Sequence, residues 1–378
     1  MMKNKQFIIW SGLLLFLVII VSSYNVGKRS ETVIIPSKEE NVQKNRPFQV
    51  KTIYRLPKAD QLLGWSSSDS IVGFFKGNET SERTAHRLQR LSSPYEKAEN
   101  LQGIESNTSN LKISPDGTSI AGLTISSNKA SMKLISLANG KKTEIASFTS
   151  NNEVYLQDVS WSNNSRYVCY LVIDAAKDGQ ATIYVFDTDS GTLKTYPLKD
   201  FAEKDSLTGV NISDNGRGLL LTVLQKSGQK ENIMMGTVSG NRINIQDKRQ
   251  NSLGKPVWLN NDQFVFLGTG ETLYEYDRRN NELSVLLEKV ATFTLSNDRK
   301  KIAYSLHPDK DSLYAGKLQG KNILYEEPVY HGTIPSETEI YWSPDGNSLL
   351  VNVQNQYSSM ESASARFLDD QSYIITFK

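Results

Sequence analysis

The groups in this chain that could do chemistry are few. It holds three histidines and one cysteine. A zinc site needs such ligands at close spacing, as in two histidines one helical turn apart. His86, His307 and His331 are far apart and have no such neighbours. Cys169 lies in the apolar run 167–172, where a cysteine acts as a small buried hydrophobe rather than a nucleophile. With one cysteine, no intrachain disulfide can form. A hydrolase elbow needs Gly-x-Ser-x-Gly, but Gly236, Thr237, Val238, Ser239 and Gly240 place the serine one position late. Asp187, Asp189 and Gly191 match the opening of a calcium loop, yet the acidic residue that should close it is missing, so they read as a hairpin turn. No glycine-rich phosphate loop opens a helix. The expectation is no catalytic residue, no metal and no cofactor.

Composition narrows the class further. Of 378 residues, 38% are hydrophobic and 22% charged, the balance of a folded globular chain. The 43 basic and 41 acidic residues leave a net charge of +2. A nucleic-acid binder concentrates basic residues on one face, so no nucleic-acid partner is expected.

The N-terminus has a separate character. Residues 7–24 form an apolar run long enough to cross a bilayer core as one helix, flanked by Lys3 and Lys5 before it and Lys28 and Arg29 after it. Residues 1–24 are read as a signal-anchor or transmembrane helix. Cleavage after Val21 and Ser23 is the alternative, giving a secreted chain. Residues 25–47 are polar and read as a flexible stalk. Residues 48–378 form the remaining domain. The expected location is the cell membrane, crossed once, with that domain outside the cytoplasm.

The large domain must come from repetition. Ser114, Pro115, Asp116 and Gly117 recur as Ser343, Pro344, Asp345 and Gly346, each after a short apolar strand. Weaker copies lie between and before them. One apolar residue anchors each unit: Trp65, Ile113, Trp161, Ile212, Trp258, Leu295 and Trp342, spaced from 37 to 51 residues apart. A period in the forties marks a propeller blade of four antiparallel strands. The predicted strands are apolar over strand length, and none shows helical periodicity.

The strand count selects seven blades over six. The last unit runs out at Lys378 after its third strand, while an orphan strand, 48–56, belongs to no complete unit. If that strand becomes the outer strand of the last blade, every blade has four strands and the ring closes without a free edge. The fold expected is therefore all-β, a seven-bladed β-propeller with six blades as the alternative, preceded by one transmembrane helix.

The pattern apolar-x-Trp-Ser-Pro-Asp-Gly followed by a β-run resembles the TolB-type propeller repeat, a WD-repeat-like family. Residues 183–191 (Ile-Tyr-Val-Phe-Asp-Thr-Asp-Ser-Gly) resemble that repeat's third strand and turn. The resemblance covers roughly residues 48–378, and two copies keep the full Ser-Pro-Asp-Gly. It implies a docking platform, or a substrate gate joined to a hydrolase domain. The repeat is expected to fill the chain to Lys378, which leaves the docking platform. Trp161, Trp258 and Trp342 occupy equivalent positions, so packing between blades is their expected task.

Loop lengths point to a working face. Turns between first and second strands, and between third and fourth, are tight. The other connections are longer, and alternating strand direction gathers them on one face. The longest, 355–371, contains Tyr357, Met360, Glu361, Arg366, Phe367, Asp369 and Asp370; the next, 76–85, contains Glu79 and Arg83. These are the candidate binding residues. The expectation is a membrane-anchored module that binds another protein of the cell envelope, rather than an enzyme. Cell-wall carbohydrate binding and metal-dependent lactonase or lyase chemistry are the alternatives. First-strand residues beside the channel (Ser160, Asn211, Thr294) are uncharged, which weighs against the enzyme.

Overall fold

A computed structural model describes Arg46–Lys378, apart from residues 76–86, 102–103, 106, 128, 150–153, 178, 199–204, 226–229, 252–253, 308–310, 333, 335–337 and 354–371. The expected membrane helix and stalk lie outside the described residues. Among the described residues no helix is long and apolar enough to cross a membrane. The one helical segment there is a single 3-10 turn, Ala175–Lys177.

The strands form seven separate four-stranded sheets. Their innermost strands are Ala59–Trp65, Thr108–Ile113, Val154–Trp161, Asp205–Ile212, Val257–Trp258, Val290–Leu295 and Glu339–Trp342, which begin the first to seventh blades in order. Each ends on its predicted anchor residue. The fifth is only two residues long. Register shifts interrupt the innermost strand in five blades, for example between Leu156 and Asp158 and between Leu207 and Gly209. Such bulges bend a strand and re-aim its side chains.

The ring closes as the strand count required. Val50–Arg55 is the outer strand of the seventh blade, antiparallel to Tyr373–Phe377, with Ile53 opposite Ile375 and Arg55 opposite Tyr373. Beyond the strand, the Leu56 N–H donates to the Ser372 carbonyl and the Lys378 N–H to the Gln49 carbonyl. Phe48 is buried against Trp342 and Phe377, with ring centroids 6.1 and 5.7 Å away.

The core consists of seven apolar clusters, each shared by two neighbouring blades. That arrangement explains the continuous apolar runs of the second strands. In Tyr167–Asp174, Cys169 and Leu171 pack toward the fourth blade, while Val168, Tyr170 and Val172 pack toward the second. A strand covered on both faces has no polar side to alternate with. Cys169 is fully buried, and desolvation holds its thiol well above the usual range, as expected of a packing residue. Outer strands such as Arg242–Asn251 face solvent and are mostly exposed.

The serine after the anchor forms each well-kept turn. Ser114, Ser162, Ser213, Ser296 and Ser343 are buried, and each hydroxyl donates to the Asp or Asn two residues on. The same oxygen accepts the N–H five residues on, as from Gly218 to Ser213 at 2.8 Å. Asp116 and Asp345 are consumed by these turns. So are Asp187 and Gly191: the Asp187 carboxylate accepts the Asp189 and Ser190 N–H groups and pairs with Arg166 at 2.9 Å.

Candidate functional site

All seven anchors pack between blades and also border the axis, as do five of the residues that stand one place before them. Gly64, Lys112, Asn211, Thr294 and Tyr341 take that position and line a central cavity of about 520 Å³. That volume lies within the range of small-molecule pockets.

One end of the cavity is closed. The Asn163 side-chain amide, on the third blade, donates across the axis to the Asn297 carbonyl of the sixth at 2.6 Å. Asn297 in turn donates its side-chain amide to the Pro115 carbonyl of the second blade at 2.8 Å. Arg299 completes this floor with positive φ (59°). Its Nη1 reaches the Ser296 carbonyl at 3.5 Å, whereas its buried Nε has no partner. Burial pulls the guanidinium pKa down to about 10, with Asp214 and Asp298 opposing the shift. The cavity is thus a cup with its floor at the tight-turn face.

The wall above the floor is mixed: beside the uncharged Asn211 and Thr294 it carries charged groups that the expectation of a mostly uncharged channel did not name. Lys112 is part of that wall. Among the described residues its ammonium has no hydrogen bond and no ion pair. The nearby Lys255 charge, and then burial, hold its pKa below the ordinary lysine value, while Glu339 and Asp158 pull the other way. Both carboxylates are engaged elsewhere. Glu339 accepts the Tyr341 hydroxyl at 2.7 Å and the Asn352 amide at 3.4 Å. Asp158 accepts the Val210 N–H at 3.0 Å. Desolvation, reinforced by Glu339, lifts the Tyr341 hydroxyl well above the usual tyrosine range.

A side cavity of about 320 Å³ adjoins the cup between the third, fourth and fifth blades, lined by Asp158, Ser160, Asn211, Glu231 and Lys255 among others. The Ser160 hydroxyl is buried there without a partner. Glu231 accepts the Asn251 amide at 2.6 Å, and burial raises its carboxyl pKa above the ordinary value.

The predicted binding residues Tyr357, Met360, Glu361, Arg366, Phe367, Asp369, Asp370, Glu79 and Arg83 lie outside the described residues, as does His86. The other histidines are apart from each other. His307 stands 3.4 Å from Glu271, and His331 Nδ1 is 3.2 Å from the Ser312 hydroxyl. No group of three or more His, Cys, Asp or Glu side chains able to hold a metal ion occurs among the described residues. The tryptophans tie blades together, as expected. Trp161 Nε1 donates to the Lys112 carbonyl at 3.0 Å, and Trp65 Nε1 to the Tyr341 carbonyl at 3.1 Å. The channel residues that sequence reasoning missed, Lys112 and Tyr341, stand one place before their anchors. Asp158, Lys255 and Glu339 stand three places before theirs. That register was the available signal.

No protein-family model matches the chain, and no curated protein matches it. Solved structures do. The chain is similar to U3-55K at 11% identity and a TM-score of 0.55, over 88% of this chain and 100% of that one. It is similar to the C-terminal WD40 domain of Sif2 at 14% identity and a TM-score of 0.46, over 88% and 100%. A third is TolB from Acinetobacter baumannii, at 14% identity and a TM-score of 0.40, over 66% and 61%. The solved neighbours thus include a WD40 domain and TolB. At 11% identity the likeness to U3-55K speaks for the fold alone. The chain is a seven-bladed β-propeller.

Proposed function

We propose that this propeller is a protein-interaction module that docks another protein of the cell envelope on its long-loop face, with residues 7–24 anchoring it and the propeller lying outside the cytoplasm. The observation that carries the reading is the asymmetry of the ring. The tight-turn face is committed to its own hydrogen bonds and closes the axis. The opposite face is where the longest connections, 354–371 and 76–86, leave and rejoin the strands of the seventh and first blades. Binding residues concentrate on such loops when a rigid scaffold presents them.

The test is crosslinking in intact cells followed by purification of the chain, comparing wild type with a variant in which residues 355–371 are replaced by a short turn. Loss of one specific crosslinked protein from the variant supports the docking face. An unchanged set of partners rules it out. Protease accessibility of the propeller in whole cells tests the location: cleavage from outside is expected, and full protection would reverse the assignment.

A further inference from the structure

The cup holds an ammonium that the fold leaves without a direct partner. Lys112 sits on its wall without hydrogen bond or ion pair among the described residues, and a like charge that acts on it, Lys255, stands at the adjoining cavity. A cation drawn into a cavity is costly unless something compensates it. Glu339 and Asp158 favour its charge from a distance, but neither pairs with it directly. Glu339 is held by Tyr341 and Asn352, and Asp158 by the Val210 backbone. Asp60, also on the lining, has interactions of its own. Violations of local energetics of this kind concentrate at functional sites.

The rest of the lining describes the missing partner. Gln61, Asn211 and Thr294 supply amide and hydroxyl groups, while Trp161 and Tyr341 supply aromatic surface. A cavity of about 520 Å³ with a bridged floor excludes a threaded chain and suits a compact molecule. We propose that the central cup binds a small hydroxylated organic anion, its carboxylate or phosphate group paired with Lys112. The shared chemistry is the anion. This inference does not depend on the docking reading, because its ligand enters the cup rather than covering the loops.

The test uses intrinsic fluorescence of the full chain. Trp65, Trp161, Trp258 and Trp342 all line the cup, and the chain has five tryptophans in total. Glucuronate, inorganic phosphate and glucose are titrated separately. Saturable change with glucuronate identifies a carboxylate site, and with phosphate a phosphate site. Glucose, the neutral counterpart of glucuronate, is expected to bind at least about tenfold more weakly than the effective anion. Lys112→Met keeps the apolar stem and removes the charge, so it is expected to weaken anion binding by about tenfold or more, while Lys112→Arg retains it. The thermal midpoint of unliganded Lys112→Met provides a second readout. Removing an unpaired cation leaves it unchanged or raises it. The proposal is overturned if neither anion binds the wild type, if glucose binds as well as the anion, or if Lys112→Met keeps wild-type affinity. A Lys112→Met midpoint several degrees lower, showing a structural role for the ammonium, overturns it as well.

Discussion

At the tight-turn face, successive blades are fastened turn to turn. The Asp116 N–H donates to the Ser165 hydroxyl at 3.0 Å, the Asn164 N–H to Asp214 at 2.8 Å, and the Asn215 N–H to Asn261 at 2.9 Å. Lys301 reaches the Gly346 carbonyl at 2.7 Å. At the long-loop face the described groups look inward to a cup, where Lys112 and the Ser160 hydroxyl beside it lack partners. One face spends its polar groups on itself and the other keeps them available. The teaching is that a propeller separates its two tasks by strand direction. Short turns at one end fix the geometry, and residues at the other end are free to vary without dissolving it.

The comparison breaks most readily at the ring closure, which is packed from the tight-turn side. Phe48 fills the space between Trp342 and Phe377 and is 2% exposed. Phe48→Ala is expected to destabilise by about 3–5 kcal/mol, the range for emptying a large aromatic site. Denaturant unfolding of the two proteins measures it. A loss below about 1 kcal/mol would mean that the outer strand of the seventh blade is held by its hydrogen bonds alone.

A glycine pair sharpens the same contrast by separating backbone strain from packing. Gly117 and Gly191 both have positive φ, 73° and 67°. A Cβ on Gly117 would stand 2.7 Å from the Ser66 backbone of the first blade, whereas one on Gly191 would meet nothing within 4 Å. Gly191→Ala is expected to cost about 1 kcal/mol, the left-handed penalty alone. Gly117→Ala should cost about 2–3 kcal/mol, because two turns must also move apart. Equal losses in thermal or denaturant unfolding would show that the turns are not in enforced contact.

The buried serines give the next step down. Ser213 is fully buried, donates to Asn215 and accepts from Gly218. Ser213→Ala leaves a buried N–H without its acceptor and is expected to cost about 1–3 kcal/mol. The fifth blade, which has Leu259 at this place and uses Asn260 to accept the Asp262 and Gln263 N–H groups, shows that the turn has a second solution. Restoring full stability with Ser213→Thr, which keeps the hydroxyl, would tie the loss to that oxygen.

Most of the fold was legible in the sequence because one physical device repeats. The apolar anchor, the turn serine and the Asp or Asn two places on occur at the same offset in unit after unit, so weak copies such as residues 210–215 could be aligned on strong ones. The closure was legible from counting strands, since 48–56 had no other partner. The site was only half legible. Loop lengths could be read from the sequence, but the charge inside the cup could not, because a lysine in an innermost strand looks like any exposed lysine until the register of the bulged strand is known. Lys112 and Glu339 stand on different blades, separated by most of the chain, and only ring closure brings them to one wall.

The smallest expected effect has the opposite sign, and for that reason tests the comparison most directly. Every substitution above perturbs the tight-turn side and lowers stability. Replacing residues 355–371 by a four-residue turn alters the long-loop side between Ser348–Asn352 and Tyr373–Phe377, the second and third strands of the seventh blade. The two strands keep their register, with Leu349 opposite Ile375 and Val351 opposite Tyr373. Loop-closure entropy grows only with the logarithm of length, so the shortening is expected to stabilise the propeller by about 1 kcal/mol. Thermal unfolding reads the change. A gain, or no change, means that the long connection adds nothing to the ring and is free to serve recognition. A loss of about 2 kcal/mol or more would mean that these residues pack against the blades, and the division of labour between the two faces would fail.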